Sequence, residues 1–420
     1  MANFVFISPN FPETYYQFPL AWKRLGQTSL GIGDEPWDNL SSQMKDALTE
    51  YYQVSNMEDY DQMYRAVAWF AHKHGKIDWL ESNNEYWLVQ DARLRTDFNI
   101  TTGDKSDTVM RFKTKSGMKK YYKEAGCPTA RWHLVSTLEK GRAFIKQVGY
   151  PVIVKPDSGV GASATWKITN DKELEEFYSV PRNVQYIMEE YVPGYIQSFD
   201  GITDQNGDII FETSHIFPVP IMDVVLASGE SWYYSVREVP QDLKEIGKKV
   251  IHAFNIKGRF FHTEYFRLSE DKPGLGKKGG LVGLEVNMRP PGGYTTDMMN
   301  FANDINIYGA YASMAMGDTE PVKTSRPYFC VYVGKRSELH YEHSMADVYR
   351  RYGQNICMHD TMPFILRNDL GDEFYIARFA DEKDMKDFVR FVYEKHVDKP
   401  KQPEPEKAAV TKTESTGTKK

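Results

Sequence analysis

PVIVKPDSGVGASATWKI, residues 151–168, sets an apolar run directly against a glycine turn. Gly159, Gly161 and Ala164 match the dinucleotide-binding fingerprint letter for letter. Context decides against it. That fingerprint needs its glycines to open a helix, so that backbone amides and the helix dipole face a pyrophosphate. Here Val152–Val154 reads as a strand before the loop, and TWKIT (165–169) reads as extended chain after it. A helix opens only at Asn170-x-x-Glu173, which has the form of a capping box. The glycines therefore join two strands. The P-loop pattern GxxxxGK[ST] is absent as well. A glycine loop between strands still lets backbone amides approach an anion closely, because no side chains intervene.

Upstream of this stretch the spacing predicts helices over Thr137–Val148, closed by Gly149 and Pro151, and over Lys115–Ala125, closed by Gly126 and Pro128. Residues 1–105 alternate between strand and helix signals: a strand at Phe4–Ile7, a helix near Leu20–Leu25, a strand near Leu30–Ile32, helical pattern through Met57–His74, and an apolar run at Ile77–Leu80. That alternation predicts an open α/β domain. Downstream, Leu243, Ile246, Val250 and Phe254 recur at helical spacing, and a β-rich segment follows. Helices are then expected over Ile305–Met316 and Met385–Tyr393, the latter with Asp381 as its cap. From Asp398 the chain has no aromatic residue and no periodicity, which predicts a disordered tail.

The chain has 420 residues and a net charge of −6, so no strong basic field points to nucleic acid. Cys127, Cys330 and Cys357 lie far apart without a CxxC pair, as expected of reduced thiols rather than a zinc site or a disulfide framework. No run approaches about 18 apolar residues, and the start lacks a basic leader. These features predict a soluble, cytoplasmic protein with no membrane partner.

The chemistry concentrates in HTEYFRL (262–268) and LEVNMRPPGG (284–293). On a strand, residues two apart share a face, so Glu285, Asn287 and Arg289 project together while Val286 and Met288 face the other way. Folding the two segments into a hairpin around PGLGKKGG sets Glu264 roughly opposite Glu285. Two carboxylates facing across a ladder repel. A divalent cation reverses that sign, and carboxylates with an amide oxygen are hard ligands suited to Mg²⁺. Arg289 on the same face would meet phosphate bidentately. An exposed hairpin of ordinary charges is the alternative; the stiff Pro-Pro-Gly-Gly turn beside the charge cluster disfavours it.

VIVKPDSGVGAS, YIMEEYVPG, HTEYF and LEVNMRPPGG, in this order, resemble the ATP-grasp superfamily, and most closely its carboxylate–amine ligases, including L-amino-acid ligases. The likeness is strongest over about 110–320. It implies an α/β and α+β chain: an N-terminal open α/β domain over 1–105, an ATP-grasp nucleotide-binding domain over 106–324, a C-terminal α+β lid over 325–397, and the tail from 398.

Residue by residue, the resemblance implies that Lys115 and Lys155 are the two nucleotide-binding lysines, with the neighbouring lysines of KTKSGMKK open as alternatives to Lys115. It makes Gly159, Gly161, Ala162 and Ser163 the flap over the phosphates. Glu189, Tyr191 and Val192 match the adenine-binding linker, and Phe266 the apolar residue packing on adenine. Glu264, Glu285 and Asn287 match the metal ligands, and Arg289, with Lys155, the catalytic cations at the reacting phosphate. Where many relatives carry a glutamate for the ribose hydroxyls, this chain has Ile196; Gln197 and Asp200 are the nearest polar substitutes.

The implied cofactors are ATP and one or two Mg²⁺, with Mn²⁺ as an alternative ion. The implied reaction joins a small-molecule carboxylate to an amine through an acyl phosphate, releasing ADP and phosphate, and such ligases are often homodimers. A carboxylase or CoA-ligase type reaction, and a nucleotide-binding regulator without turnover, are the alternative readings.

Overall fold

The computed structural model describes residues 1–159, 164–219, 224 and 229–395. Three sheets organise them. The first is wholly parallel, with strand order Glu50–Gln53, Thr28–Gly33, Asn3–Ile7 and Trp79–Glu81. The central strand NFVFI is buried throughout, as a strand covered on both faces must be. Its alternation distributes two cores: Phe4 and Phe6 pack with Phe18, Trp22, Phe260 and Tyr311, while Val5 and Ile7 pack with Val67, Phe70 and Leu94. Phe260 and Tyr311 belong to the rest of the molecule, so the first of these cores fastens the N-terminal sheet to it.

The second sheet is small and antiparallel, in the order Trp132–Leu134, Tyr186–Glu190, Val152–Pro156 and Trp166–Ile168. Helices Leu138–Val148 and Asp171–Ser179 supply Phe144, Leu174 and Phe177 to its core. Val152–Pro156 and Trp166–Ile168 are the two strands that the glycine loop joins. Asn170 caps the helix after them by accepting from the Glu173 amide at 3.0 Å, and Glu173 reaches back to the Thr169 amide at 2.7 Å, one residue earlier than a strict capping box.

The third sheet has nine strands among the described residues and runs from Leu281–Asn287 through Arg259–Leu268 and Gly194–Thr203 to Phe329–Lys335, Glu373–Phe379 and Ile356–Thr361. The strands of 325–397 therefore extend the sheet that carries the hairpin rather than forming one of their own. Helix Glu382–Tyr393 buries Met385, Phe388, Val389 and Val392 against it. Asp381 sits at its N-cap position, but its side chain makes no capping bond. The single helix expected over Ile305–Met316 begins at Ile307, and a separate helix, Thr295–Asn303, precedes it with Asp304 left-handed between them. Among the described residues no helix is long and apolar enough to cross a membrane.

Candidate active site

Strand Arg259–Leu268 lies between Gly194–Thr203 and Leu281–Asn287, both antiparallel to it. The register sets residues in rows across the three strands: Asp200, His262 and Asn287; then Ser198, Glu264 and Glu285; then Ile196 beside Phe266. One face thus grades from charged to apolar. The opposite face sends Phe199, Tyr265 and Val286 into the core. A bulge after Glu264 makes Leu284 the extra residue, so the strict two-residue alternation breaks just beyond the paired carboxylates. Tyr122 pins this point from behind: its hydroxyl donates to the Glu285 carbonyl at 2.8 Å and lies 3.3 Å from the Glu264 carbonyl. Gly283 is required there, because a Cβ would stand 2.4 Å from the Tyr122 ring.

Helix Lys115–Glu124 presents Lys115 and Lys119 on one face, four residues apart. Lys115 Nζ lies 3.5 Å from Glu285 Oε1 and donates to the Gly159 carbonyl at 3.2 Å. Lys119 pairs with Glu189, and Lys155 Nζ lies 2.7 Å from the other Glu189 oxygen. Lys155 and Glu189 are diagonal neighbours on paired strands, within reach of long side chains. Burial works to raise the Glu189 carboxyl, but Lys119 and Lys155 outweigh it and hold it at about 2. Burial lowers Lys119, and the nearby Lys155 charge adds to that. For Lys155 burial acts downward too, yet Glu189 and Glu285 bring the net shift upward. The helix is tied to the glycine loop by Asp157, which accepts from the Ser116 amide at 2.8 Å and the Ser116 hydroxyl at 2.7 Å, while its carbonyl accepts from the Lys115 amide at 2.8 Å.

Glu190, next to Glu189, forks onto Arg131, with contacts of 2.6 and 3.0 Å. Both acidic side chains of the linker therefore face cations. Val192 is buried beside Ala130 and Leu268, with Phe266 packed against them. Ile196 belongs to an apolar cluster with Phe217 and Tyr233. Neither polar substitute for a ribose contact is free: Gln197 donates to Ser214 at 3.1 Å and accepts from Arg267, and Asp200 is fully buried between His215 and His262. Arg289 donates to the Pro290 carbonyl at 2.8 Å. The preceding carbonyl, Met288, accepts from the buried Arg259 at 2.7 Å, and Arg259 also meets Glu81 at the end of an N-terminal strand.

A cavity of about 920 Å³ joins these groups. Lys115, Lys155, Glu189, Tyr191, Val192, Phe266, Glu264, Glu285, Asn287 and Arg289 all line it. It extends to Asn10, Asn83 and Glu85, beyond the carboxyl ends of strands Asn3–Ile7 and Trp79–Glu81. This is the crevice at which open parallel sheets bind ligands, where the strand order reverses. Gly159 lies at the loop's start with φ +134°; Gly161, Ala162 and Ser163 fall outside the described residues.

Lys119, one of the neighbouring lysines left open beside Lys115, lines the cavity together with Lys115, and so does His262, which sequence reading missed. Lys119 carries an i, i+4 signal with Lys115, and His262 the same two-residue spacing to Glu264 that singled out the hairpin. Among the described residues no group of three or more His, Cys, Asp and Glu side chains is placed to hold a metal ion unaided. Two carboxylates and an amide suit Mg²⁺ nonetheless, because that ion is bound by one or two carboxylates, substrate phosphates and waters.

Residues 114–210 match the family described as the carbamoyl-phosphate synthase L chain, ATP binding domain. An L-arginine-specific L-amino acid ligase from Bacillus subtilis is 26% identical over 244 residues, covering 56% of this chain and 57% of that protein. The chain thus spans little more than half of that relative's length. Among solved structures, an L-amino acid ligase from Bacillus licheniformis superposes with a TM-score of 0.70 at 16% identity, over 93% of this chain and 97% of the other. The biotin carboxylase domain of a 2-oxoglutarate carboxylase from Hydrogenobacter thermophilus superposes with a TM-score of 0.67 at 16% identity, over 93% and 89%. The chain carries the ATP-grasp fold, and within it segment 114–210 is the part similar to an ATP binding domain.

Proposed function

We propose that the protein is an ATP-dependent ligase that joins a carboxylate to an amine, releasing ADP and phosphate. The observation that carries this reading is the Glu264–Glu285 pair, set across two strands with Lys115 beside Glu285, in a cavity of about 920 Å³ that Arg289 also lines. The resemblance to L-amino acid ligases in sequence and fold supports an amide bond as the product.

Lys115 and Lys155 bind phosphate oxygens, and Lys119 joins them. Glu189 holds Lys119 and Lys155 in place while no phosphate is bound, so both charges are kept in the cavity rather than folded away. Tyr191, Val192, Ile196 and Phe266 form the apolar seat for the base, and the backbone after Glu190 offers its polar edge. Glu264, Glu285 and Asn287 would hold Mg²⁺, which when bound neutralises the triphosphate and draws charge from the phosphoryl group in transfer.

Arg289 orients the substrate carboxylate against the γ-phosphorus. One carboxylate oxygen forms a bond to that phosphorus as the bond to the β-γ bridging oxygen breaks, giving ADP and an acyl phosphate. The amine then attacks the acyl carbon, loses a proton to solvent, and phosphate leaves with the oxygen that came from the carboxylate. Lys155 and Arg289 stabilise the charge on that phosphate in both steps.

Phosphate release measured against a matrix of carboxylates and amines, amino acids included, tests the reading. Release that requires one member of each class supports it. No release with any pair leaves a nucleotide-binding protein without turnover, and release with bicarbonate alone as the carboxylate points to the carboxylase alternative.

A further inference from the structure

Behind Glu264 lies a chain of buried polar groups that the reaction above does not use. Asp200 and His215 are fully buried and His262 is 5% exposed. Asp200 Oδ1 lies 2.6 Å from His262 Nδ1, and Asp200 Oδ2 lies 2.7 Å from His215 Nδ1. Ser198 also donates its hydroxyl to Asp200. The far nitrogen of His262, Nε2, lies 3.4 Å from Glu264 Oε1.

Stability does not account for such a chain. Well-packed apolar residues of similar volume serve as well as buried ionic groups or better, because the charges must be stripped of water. The direction of the chain is informative. Ser198, paired directly with Glu264 across the ladder, turns its hydroxyl to Asp200, and Phe266 on the other side is apolar. Among the described residues, His262 is the group on this face that reaches the Glu264 carboxylate, and its ring is held by Asp200.

We infer that His262 is a positioning residue: its imidazole, oriented by Asp200 and through Asp200 by His215, holds one Glu264 oxygen so that the carboxylate stands opposite Glu285 before a divalent cation binds. The inference rests on the reading of Glu264 as a metal ligand. A metal-bound carboxylate is commonly held by such an outer hydrogen bond, whose loss costs about 10–100-fold in metal affinity or activity.

The test uses the full chain with Mn²⁺ and ADP as probes, reading bound Mn²⁺ by electron paramagnetic resonance and folding by thermal midpoint. His262→Phe is expected to weaken Mn²⁺ binding about 10–100-fold. His262→Gln, whose amide NH2 can still donate to the Glu264 carboxylate, recovers part of it. His215→Leu gives a smaller loss, and the double variant His215→Leu/His262→Phe is no worse than His262→Phe alone, since His215 acts only through Asp200. Parent-like Mn²⁺ affinity in folded His262→Phe overturns the inference, as do additive losses in the double variant. If His262→Phe does not fold, folded His262→Gln and His215→Leu must each bind Mn²⁺ more weakly than the parent, and parent-like binding in both overturns it. Glu264→Gln separates the layers. If it leaves Mn²⁺ binding intact, the metal reading and this inference fall together; if it abolishes binding while His262→Phe binds as the parent does, only the positioning role falls.

Discussion

Glu264 and Glu285 occupy one register position on paired antiparallel strands, with Tyr122 holding both backbones from the other face. Like charges directly opposite are destabilising by some tenths of a kcal/mol. The protein tolerates the pair with Lys115 beside one carboxylate and His262 beside the other. Glu285→Gln and Glu264→Gln are expected to fold as well as the parent while losing ATP-dependent turnover by at least about 100-fold. The several kcal/mol that a metal ion contributes to phosphoryl transfer corresponds to two or more decades in rate. Phosphate release and a thermal melt on each variant check both halves of this expectation.

Glu189 answers the buried Lys119 and the partly buried Lys155, so its removal leaves charges uncompensated. Glu189→Gln is expected to cost about 3–5 kcal/mol at neutral pH, read from the denaturant midpoint. The pH dependence follows from the folded carboxyl near 2, below its ordinary value of about 4.3. A depressed folded value contributes stability that is present above about pH 4.3 and lost as pH falls toward 2. The parent should therefore lose stability more steeply than Glu189→Gln across that window, and parallel acid profiles would contradict it.

Asp157 fastens the first turn of the Lys115–Glu124 helix to the end of strand Val152–Pro156. Asp157→Ala removes both side-chain bonds and, as with a lost N-cap, is expected to cost about 0.5–2 kcal/mol. Because Lys115 sits on that turn, the KM for ATP should rise as well. Urea unfolding and steady-state kinetics on the one variant measure both effects.

Phe266 packs against Val192 and Ile196, the residues proposed above as the apolar seat for the base. Phe266→Ala is expected to weaken ADP binding by about 1–3 kcal/mol, the range for a base packed on an aromatic ring. Inorganic triphosphate, which lacks the base, should bind the variant as it binds the parent. Calorimetry with the two ligands distinguishes a base contact from general damage.

The hairpin, the lysine helix and the strand–loop–strand around Gly159 were legible because each rests on local signals: a two-residue period, a Gly–Pro stop, a glycine turn followed by extended chain. What was not legible depends on contacts between distant segments. The bulge after Glu264 arises from two strands whose lengths between fixed points differ by one residue, a property of the pair that neither strand shows alone. Strand Gly194–Thr203 supplies Asp200 to His262, more than 60 positions on, and nothing in YIQSFDGIT signals that partner. The extension of the hairpin sheet by Phe329–Lys335 is likewise set by pairing with Ser231–Ser235, a long-range choice. Asp381 shows the limit of local rules, since a residue of the right type at the right place leaves its helix uncapped.

The most direct measurement follows one oxygen atom. With a substrate pair found in the phosphate-release screen, the carboxylate is labelled with ¹⁸O on both oxygens and the released phosphate is analysed by mass spectrometry. Transfer of one ¹⁸O into phosphate, with ADP and the amide formed in equal amounts, is the result the account predicts. Unlabelled phosphate released alongside the amide would contradict it, because the carboxylate would then never have been joined to the γ-phosphorus.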